Sequence, residues 1–194
     1  MQAGIILLAA GNSSRLGQSK QLVEVRGIPL LRRSAEMAVQ TGYTVVVVLG
    51  ADAETHQPVL AGIKTEVIIN HNWHTGMGGS LKVGLKHLLK IHPAIEAVLI
   101  MVCDQPYLSG EHLQKLTAAL QQQPKPIVAS AYANVMGVPA IFRKEFFNRL
   151  LQLDDDTGAR KVIQQFADQV YTLPFEKGEI DLDTPRDLQH LPNE

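Results

Sequence analysis

Ile5-Ile6-Leu7-Leu8-Ala9-Ala10-Gly11-Asn12-Ser13-Ser14-Arg15-Leu16-Gly17-Gln18-Ser19-Lys20 decides how this chain is read. The first four residues form an unbroken apolar run, the pattern of a buried strand. The run passes into a turn rich in glycine and serine that carries an arginine and ends on a lysine. Glycine lets backbone N–H groups come close to an anion, and successive N–H groups form an anion-binding concavity. Arg15 and Lys20 add positive charge where a polyphosphate would lie. The spacing matches neither the Walker loop nor G-x-G-x-x-G, since Lys20 does not follow a glycine and no Ser or Thr comes after it. One reading is a phosphate loop of another kind. The other is an ordinary strand-to-helix turn with exposed basic residues. Ligands of open α/β sheets sit beyond the carboxyl ends of strands, and that favours the first reading.

Composition sets the limits. With 194 residues, 45% of them hydrophobic, the chain suits one well-buried domain, residues 1–194. Eighteen Lys and Arg against 19 Asp and Glu leave a net charge of −1, which argues against a general nucleic-acid or acidic-membrane binder. Cys103 is the single cysteine, so no intrachain disulfide can form, and a reducing cytoplasmic setting is expected. No apolar run approaches the roughly 18–20 residues that span a bilayer. The N-terminal run lacks a basic flank and enters the glycine turn directly, so it is read as a strand and not as a signal peptide.

Beyond the turn, apolar runs alternate with helical patterns. Residues 30–41 repeat apolar positions at helical spacing and stop at Gly42. Residues 43–49, 66–70 and 97–102 read as strands, and 80–91 as a helix with Ser80 as its N-cap. Ser109 is expected to cap the next helix. Residues 127–132 and 140–142 suggest a hairpin across 134–139. Short helices follow around 144–151 and 160–166, then a strand at 170–173. Thr184-Pro185-Arg186-Asp187 has the look of a helix start. The expected fold is three-layer α/β: a mainly parallel, mixed sheet covered by helices on both faces.

Three further stretches carry chemistry. Asp104, in Cys103-Asp104-Gln105-Pro106, ends an apolar strand where a doubly wound sheet builds its site. A carboxylate facing polyphosphate calls for Mg²⁺ between them; a turn aspartate held by backbone N–H groups is the plainer option. Asp181 and Asp183 alternate with Ile180 and Leu182, so in an extended segment both acids face one way. Asp183 suits either a metal or the following helix end. Gly76, Gly78 and Gly79 form a second glycine turn whose open backbone could approach a flat base. His71 and His74 flank Trp73, but no cysteine or carboxylate joins them locally as zinc would require. Cys103 lies in an apolar strand and is read as a structural thiol.

These motifs together resemble the molybdenum cofactor nucleotidyltransferases, and within them the cytidylyltransferase branch. Leu8-Ala9-Ala10-Gly11, Ser14-Arg15-Leu16-Gly17, Lys20, Gly76-Met77, Ser80-Leu81 and Asp104-Gln105-Pro106 carry the likeness. So do Asp156-Thr157-Gly158-Ala159-Arg160 and Asp181-Leu182-Asp183-Thr184-Pro185, so nearly the whole chain is covered. Glycine in place of Ala10 goes with guanylyl transfer, and Ala-Ala-Gly resembles the cytidylyl branch. Two positions depart from the family pattern: Leu16, commonly Met, and Val138 within Gly137-Val138-Pro139, commonly His.

The resemblance implies a Rossmann-like nucleotidyltransferase that moves CMP from CTP to molybdenum-carrying molybdopterin, uses Mg²⁺ and releases pyrophosphate. A molybdenum hydroxylase would receive the product. Arg15, Lys20 and Asp104 are the expected catalytic residues, and Asp104 and Asp183 the expected metal ligands. Leu8, Ala9, Ala10, Gly11, Ser13, Ser14, Arg15, Lys20, Asn70, Gly76, Gly79 and Ser80 are expected to bind nucleotide. Rival acceptors are sugar phosphates and phosphorylated alcohols. A non-catalytic module binding the finished cofactor is the rival of a different class, and a metal-holding acid pair speaks against it.

Overall fold

The computed structural model describes residues 1–191, so the last three residues of the expected 1–194 domain lie outside the described residues. At the centre lies β1 (Ala3–Ala9), every residue of which is buried. It pairs in parallel with β4 (Thr44–Leu49) on one side and β6 (Ala97–Val102) on the other. Beyond β4 comes β5 (Glu66–Ile69). Beyond β6 come β8 (Val135–Arg143), antiparallel to it, then β7 (Ile127–Tyr132) and β9 (Val170–Pro174). The seven-stranded order is β5-β4-β1-β6-β8-β7-β9, a mixed and mainly parallel sheet. A two-stranded ribbon of β2 (Glu24–Val25) and β3 (Ile28–Pro29) stands apart.

Period-2 alternation divides β1 between two layers. Ile5 and Leu7 face the core formed with α1 (Leu30–Val39), the short α2 (Ala53–His56) and α4 (Gly110–Gln122). Ile6 and Leu8 face the core formed with α3 (Met77–Ile91), α5 (Phe147–Leu151) and α6 (Ala159–Gln165). Ile5, Ile6 and Leu7 are wholly buried, and each contributes about 2–3 kcal/mol of apolar burial, which fixes the strand that launches the glycine turn. The chain builds from β1 towards β5, then crosses to β6 on the other flank of β1. Such a reversal opens a crevice between the carboxyl ends of the two strands, and both Gly11 and Asp104 follow those ends.

Local differences from the sequence expectations have physical reasons. The third helix starts at Met77, so Ser80 lies inside it, buried, and does not cap it. The hairpin closes through Ala133-Asn134, both at positive φ, and β8 therefore starts at Val135. Such a two-residue turn matches the strand twist. The segment after Thr184 makes a single 3-10 turn, Asp187–His190, where Asp187 Oδ2 accepts from the Asp183 and Thr184 N–H groups. Ser109 does cap its helix, accepting from His112 N at 3.2 Å. Among the described residues no helix is long and apolar enough to cross a membrane.

Candidate active site

The first glycine turn is pinned from beneath by Gln21, which is fully buried. Its Nε2 donates to the carbonyls of Ala9 (3.0 Å) and Gly11 (2.8 Å), and its Oε1 accepts from Ser13 and Ser19 hydroxyls. Ser13, at φ 51°, also accepts the Lys20 N–H at 3.0 Å. The Ser13 hydroxyl hydrogen is thereby committed inside the protein. Backbone N–H groups, and not that hydroxyl, remain as the loop's donors towards an anion.

Lys20 links the loop to the far wall. Its Nζ lies 2.5 Å from Asp104 Oδ2 and 3.5 Å from Asp183 Oδ1. Burial pulls the Lys20 ammonium down, but the charge and hydrogen bond of Asp104, helped by Asp183, outweigh it and hold the pKa above the ordinary lysine value. Arg15, exposed at the rim, reaches Asp183 Oδ2 at 2.8 Å. Asp183 arrives here because Leu182 is wholly buried against Leu16, Val23, Val25 and Leu30 while its N–H bonds the Asp104 carbonyl. Alternation then turns Asp181 and Asp183 outward. Asp181 remains solvent-exposed, yet crowding by the protein and the neighbouring Asp104 and Asp183 push its carboxyl up to about 7. Arg33 holds the next turn by donating to the Pro106 and Leu108 carbonyls.

A cleft of about 550 Å³ lies between the loop and β6. Of the residues expected to bind nucleotide, Leu8, Ala9, Ala10, Gly11, Lys20, Gly76 and Ser80 line it, together with Asp104, Trp73, His74 and Met77. Ser14 and Arg15 sit exposed on the loop. Asn70 and Gly79 do not line the cleft. Asn70 is buried, donates to Ser80 Oγ at 3.0 Å and accepts from Asn72 N, so its polar atoms are already paired. Cys103 is buried, and burial pushes its thiol up to about 12, which leaves it unreactive.

The second glycine turn serves a different purpose from the one its sequence suggests. A Cβ at Gly76 or Gly78 would overlap the backbone of residues 154–157. Gly79 N donates to the Asp155 carbonyl, and Lys82 clamps the same loop through Asp155 and the Leu153 carbonyl. Gly76 and Gly78 thus admit protein backbone on one side, while Gly76 also borders the cleft on the other. Sequence reasoning missed Gln21, whose partners are backbone carbonyls that no spacing marks. It weighed Trp73 only between two histidines.

Residues 5–170 match the family model of the MobA-like NTP transferase domain. The chain belongs to that family. As a MobA-like nucleotidyltransferase it is 28% identical to a protein of Nostoc sp. named a probable molybdenum cofactor guanylyltransferase, over 97% of this chain and 90% of that one. It is 35% identical to the nicotine blue oxidoreductase of Paenarthrobacter nicotinovorans, over 72% of this chain and 66% of that protein. Its structure is similar to that of Rv0371c from Mycobacterium tuberculosis H37Rv, with a TM-score of 0.84, 27% identity and coverage of 98% and 96% of the two chains. A complex of that mycobacterial protein with manganese superposes with a TM-score of 0.80 at 25% identity, covering 98% of each chain.

Proposed function

We propose that this nucleotidyltransferase moves CMP from CTP to the phosphate of molybdenum-carrying molybdopterin, releasing pyrophosphate, with residues 1–194 acting as one cytoplasmic unit and a molybdenum hydroxylase receiving the product. The observation that carries the reading is Lys20 held between Asp104 and Asp183 at the mouth of the phosphate loop. Transfer needs an acceptor oxygen to attack the α-phosphorus while the bond to the bridging oxygen breaks and that electron pair leaves with pyrophosphate. Positioning and charge neutralisation dominate such chemistry. Lys20, held charged by Asp104, and Arg15 would face the phosphates, while the N–H groups of residues 11–13 would orient them.

Asp104 Oδ1 is buried with no hydrogen-bond partner, so a hard oxygen donor is free beside the Lys20 pair. That fits a divalent cation held by Asp104 and Asp183. Among the described residues no group of three or more such side chains converges, so phosphate oxygens and water would complete the shell. When bound, Mg²⁺ supplies neutralisation of the phosphate charge. The mycobacterial manganese complex supports divalent-metal use.

Ala10 supports CTP by resemblance alone, since Ala-Ala-Gly is similar to the cytidylyl branch and glycine at that position goes with guanylyl transfer. The relatives named guanylyltransferases favour GTP. Pyrophosphate release measured with four nucleotides, three acceptor classes, and with and without Mg²⁺ tests every part. Release with CTP, molybdopterin and Mg²⁺ alone supports the proposal. Release with GTP changes the nucleotide, and release with a sugar phosphate or phosphorylated alcohol changes the acceptor. Tight binding of finished cofactor with no release makes the protein an accessory module.

A further inference from the structure

We infer that Gln21, backed by Ser19 and His56, is a positioning residue for nucleotidyl transfer, setting the distance between the anion-facing N–H groups of the loop and the Lys20 ammonium. The inference rests on reading residues 11–20 as the triphosphate site. A glutamine amide offers two N–H donors and two acceptor lone pairs. All four are used, on Ala9, Gly11, Ser13 and Ser19, so the amide joins the entry of the loop to its exit. Between those anchors Asn12, Ser14, Arg15, Gly17 and Gln18 are exposed, and a Cβ at Gly11 or Gly17 would meet nothing within 4 Å. Lys20 takes its backbone position from Ser13, one of the same four anchors.

The hydrogens can be assigned. Ser19 has one hydroxyl hydrogen and gives it to Gln21 Oε1 at 3.0 Å. The 2.6 Å contact between Ser19 Oγ and His56 Nε2 must then be an N–H donated by the imidazole. His56 is 1% exposed, and burial lowers its imidazole pKa against the opposing Asp52 charge and Ala51 backbone, which favours the neutral ring. The chain of donors runs from His56 through Ser19 to Gln21, and from Gln21 to the loop carbonyls. A loop so anchored is pre-organised, and misplacement of a reacting group by about 1 Å can cost on the order of a hundredfold in rate.

Gln21→Glu keeps the side-chain shape but sets a carboxylate oxygen against the Ala9 and Gly11 carbonyls. The expected result is a KM for the nucleoside triphosphate raised about tenfold, turnover lowered about tenfold, and inhibition by inorganic pyrophosphate weakened to match, with the acceptor KM within about twofold. Equal losses for acceptor and triphosphate, or kinetics like the parent's, overturn the inference. Should Gln21→Glu fail to fold, the double variant Ser13→Ala, Ser19→Ala retains the amide and should weaken pyrophosphate binding by about threefold in calorimetry. Unchanged binding there overturns it too. Histidine ¹⁵N spectra should show His56 protonated at Nε2, and a proton at Nδ1 instead overturns the donor chain. If the parent protein releases pyrophosphate from none of the nucleotides, the transfer reading fails, while pyrophosphate calorimetry and the His56 spectrum still decide the role of Gln21 in the loop.

Discussion

The two glycine-rich turns look alike in sequence and differ in what their glycines face. Each follows a parallel strand and carries small residues that relax steric limits. At the first turn a Cβ on Gly11 would enter open space over the cleft, and the loop is fastened by one buried amide beneath it. At the second, a Cβ on Gly76 or Gly78 would strike the backbone of residues 154–157, which Lys82 and Gly79 hold in place. Glycine therefore leaves open space over the cleft in one turn and admits neighbouring backbone in the other. Composition alone could not separate the two, because both uses ask for the same missing side chain.

Gly78→Ala tests the packing role and carries the largest expected effect on stability. Its methyl meets backbone oxygens of Asp154 and Thr157, which cannot swing aside as a side-chain tip could. About 3 kcal/mol of destabilisation is expected in denaturant unfolding. Gly11→Ala should stay within about 0.5 kcal/mol of the parent while weakening triphosphate binding. The reverse pattern would exchange the roles of the two turns.

Next comes Lys20→Ala, which removes the cation that the first turn delivers. Turnover should fall about a hundredfold, near 2.7 kcal/mol of barrier, with a smaller change in KM. A raised KM at constant turnover would make Lys20 a uniform binding contact. Asp104→Asn should abolish metal dependence, and Asp183→Asn should lower activity more than Asp181→Asn, as measured by pyrophosphate release. Were Asp183→Asn to lose stability and keep activity, its role would be confined to the turn that begins at Thr184.

A pH experiment away from both turns supplies their baseline. His112 is buried, stacked on Phe175 at 4.7 Å and 2.8 Å from Ser130 Oγ. Burial, with Lys115 nearby, pushes its imidazole down to about 4 from 6.5. The unfolded chain therefore takes up this proton first as pH falls. The stability from the neutral ring is intact above pH 6.5 and is lost as pH drops towards the folded value. Between pH 7 and pH 5 the loss is about 2 kcal/mol, and His112→Gln should remove that part of the slope in urea titrations. Turn variants should keep it.

The parallel half of the sheet was legible because residues 5–8, 43–49 and 97–102 are continuous apolar runs, which buried parallel strands require. The glycine turn after β1 and the position of Asp104 at the cleft were legible for a related reason: charge and glycine stand where such strands end. The start of α3 was not. Glycine lowers helix propensity, so 77–79 reads as loop, but packing against residues 154–157 draws it into the helix. Gln21 and Asn70 were misjudged or missed because their partners are main-chain and buried atoms remote from any motif. The sequence already favoured Asp183 over Asp181, and the burial of Leu182 turns both acids to one outward face. Their difference lies in neighbours, with Arg15 and Lys20 on Asp183.

The smallest expected effect concerns nucleotide choice, and it returns to the first turn. Ala10 is 7% exposed, borders the cleft beside Gly11 and sets its methyl close to Gly50, so a glycine there would loosen that wall of the cleft. CTP should bind about tenfold more tightly than GTP, near 1.4 kcal/mol, in calorimetry with Mg²⁺. Ala10→Gly should narrow that ratio from the purine side, by improving GTP more than it weakens CTP. An equal substitution in the second turn should leave the ratio alone, since those glycines answer to residues 154–157 and not to the ligand. A GTP preference in the parent chain would agree with the relatives named guanylyltransferases and would remove the cytidylyl assignment. The fold and the Lys20–Asp104 pair would be untouched by that result, because neither depends on which base fills the cleft.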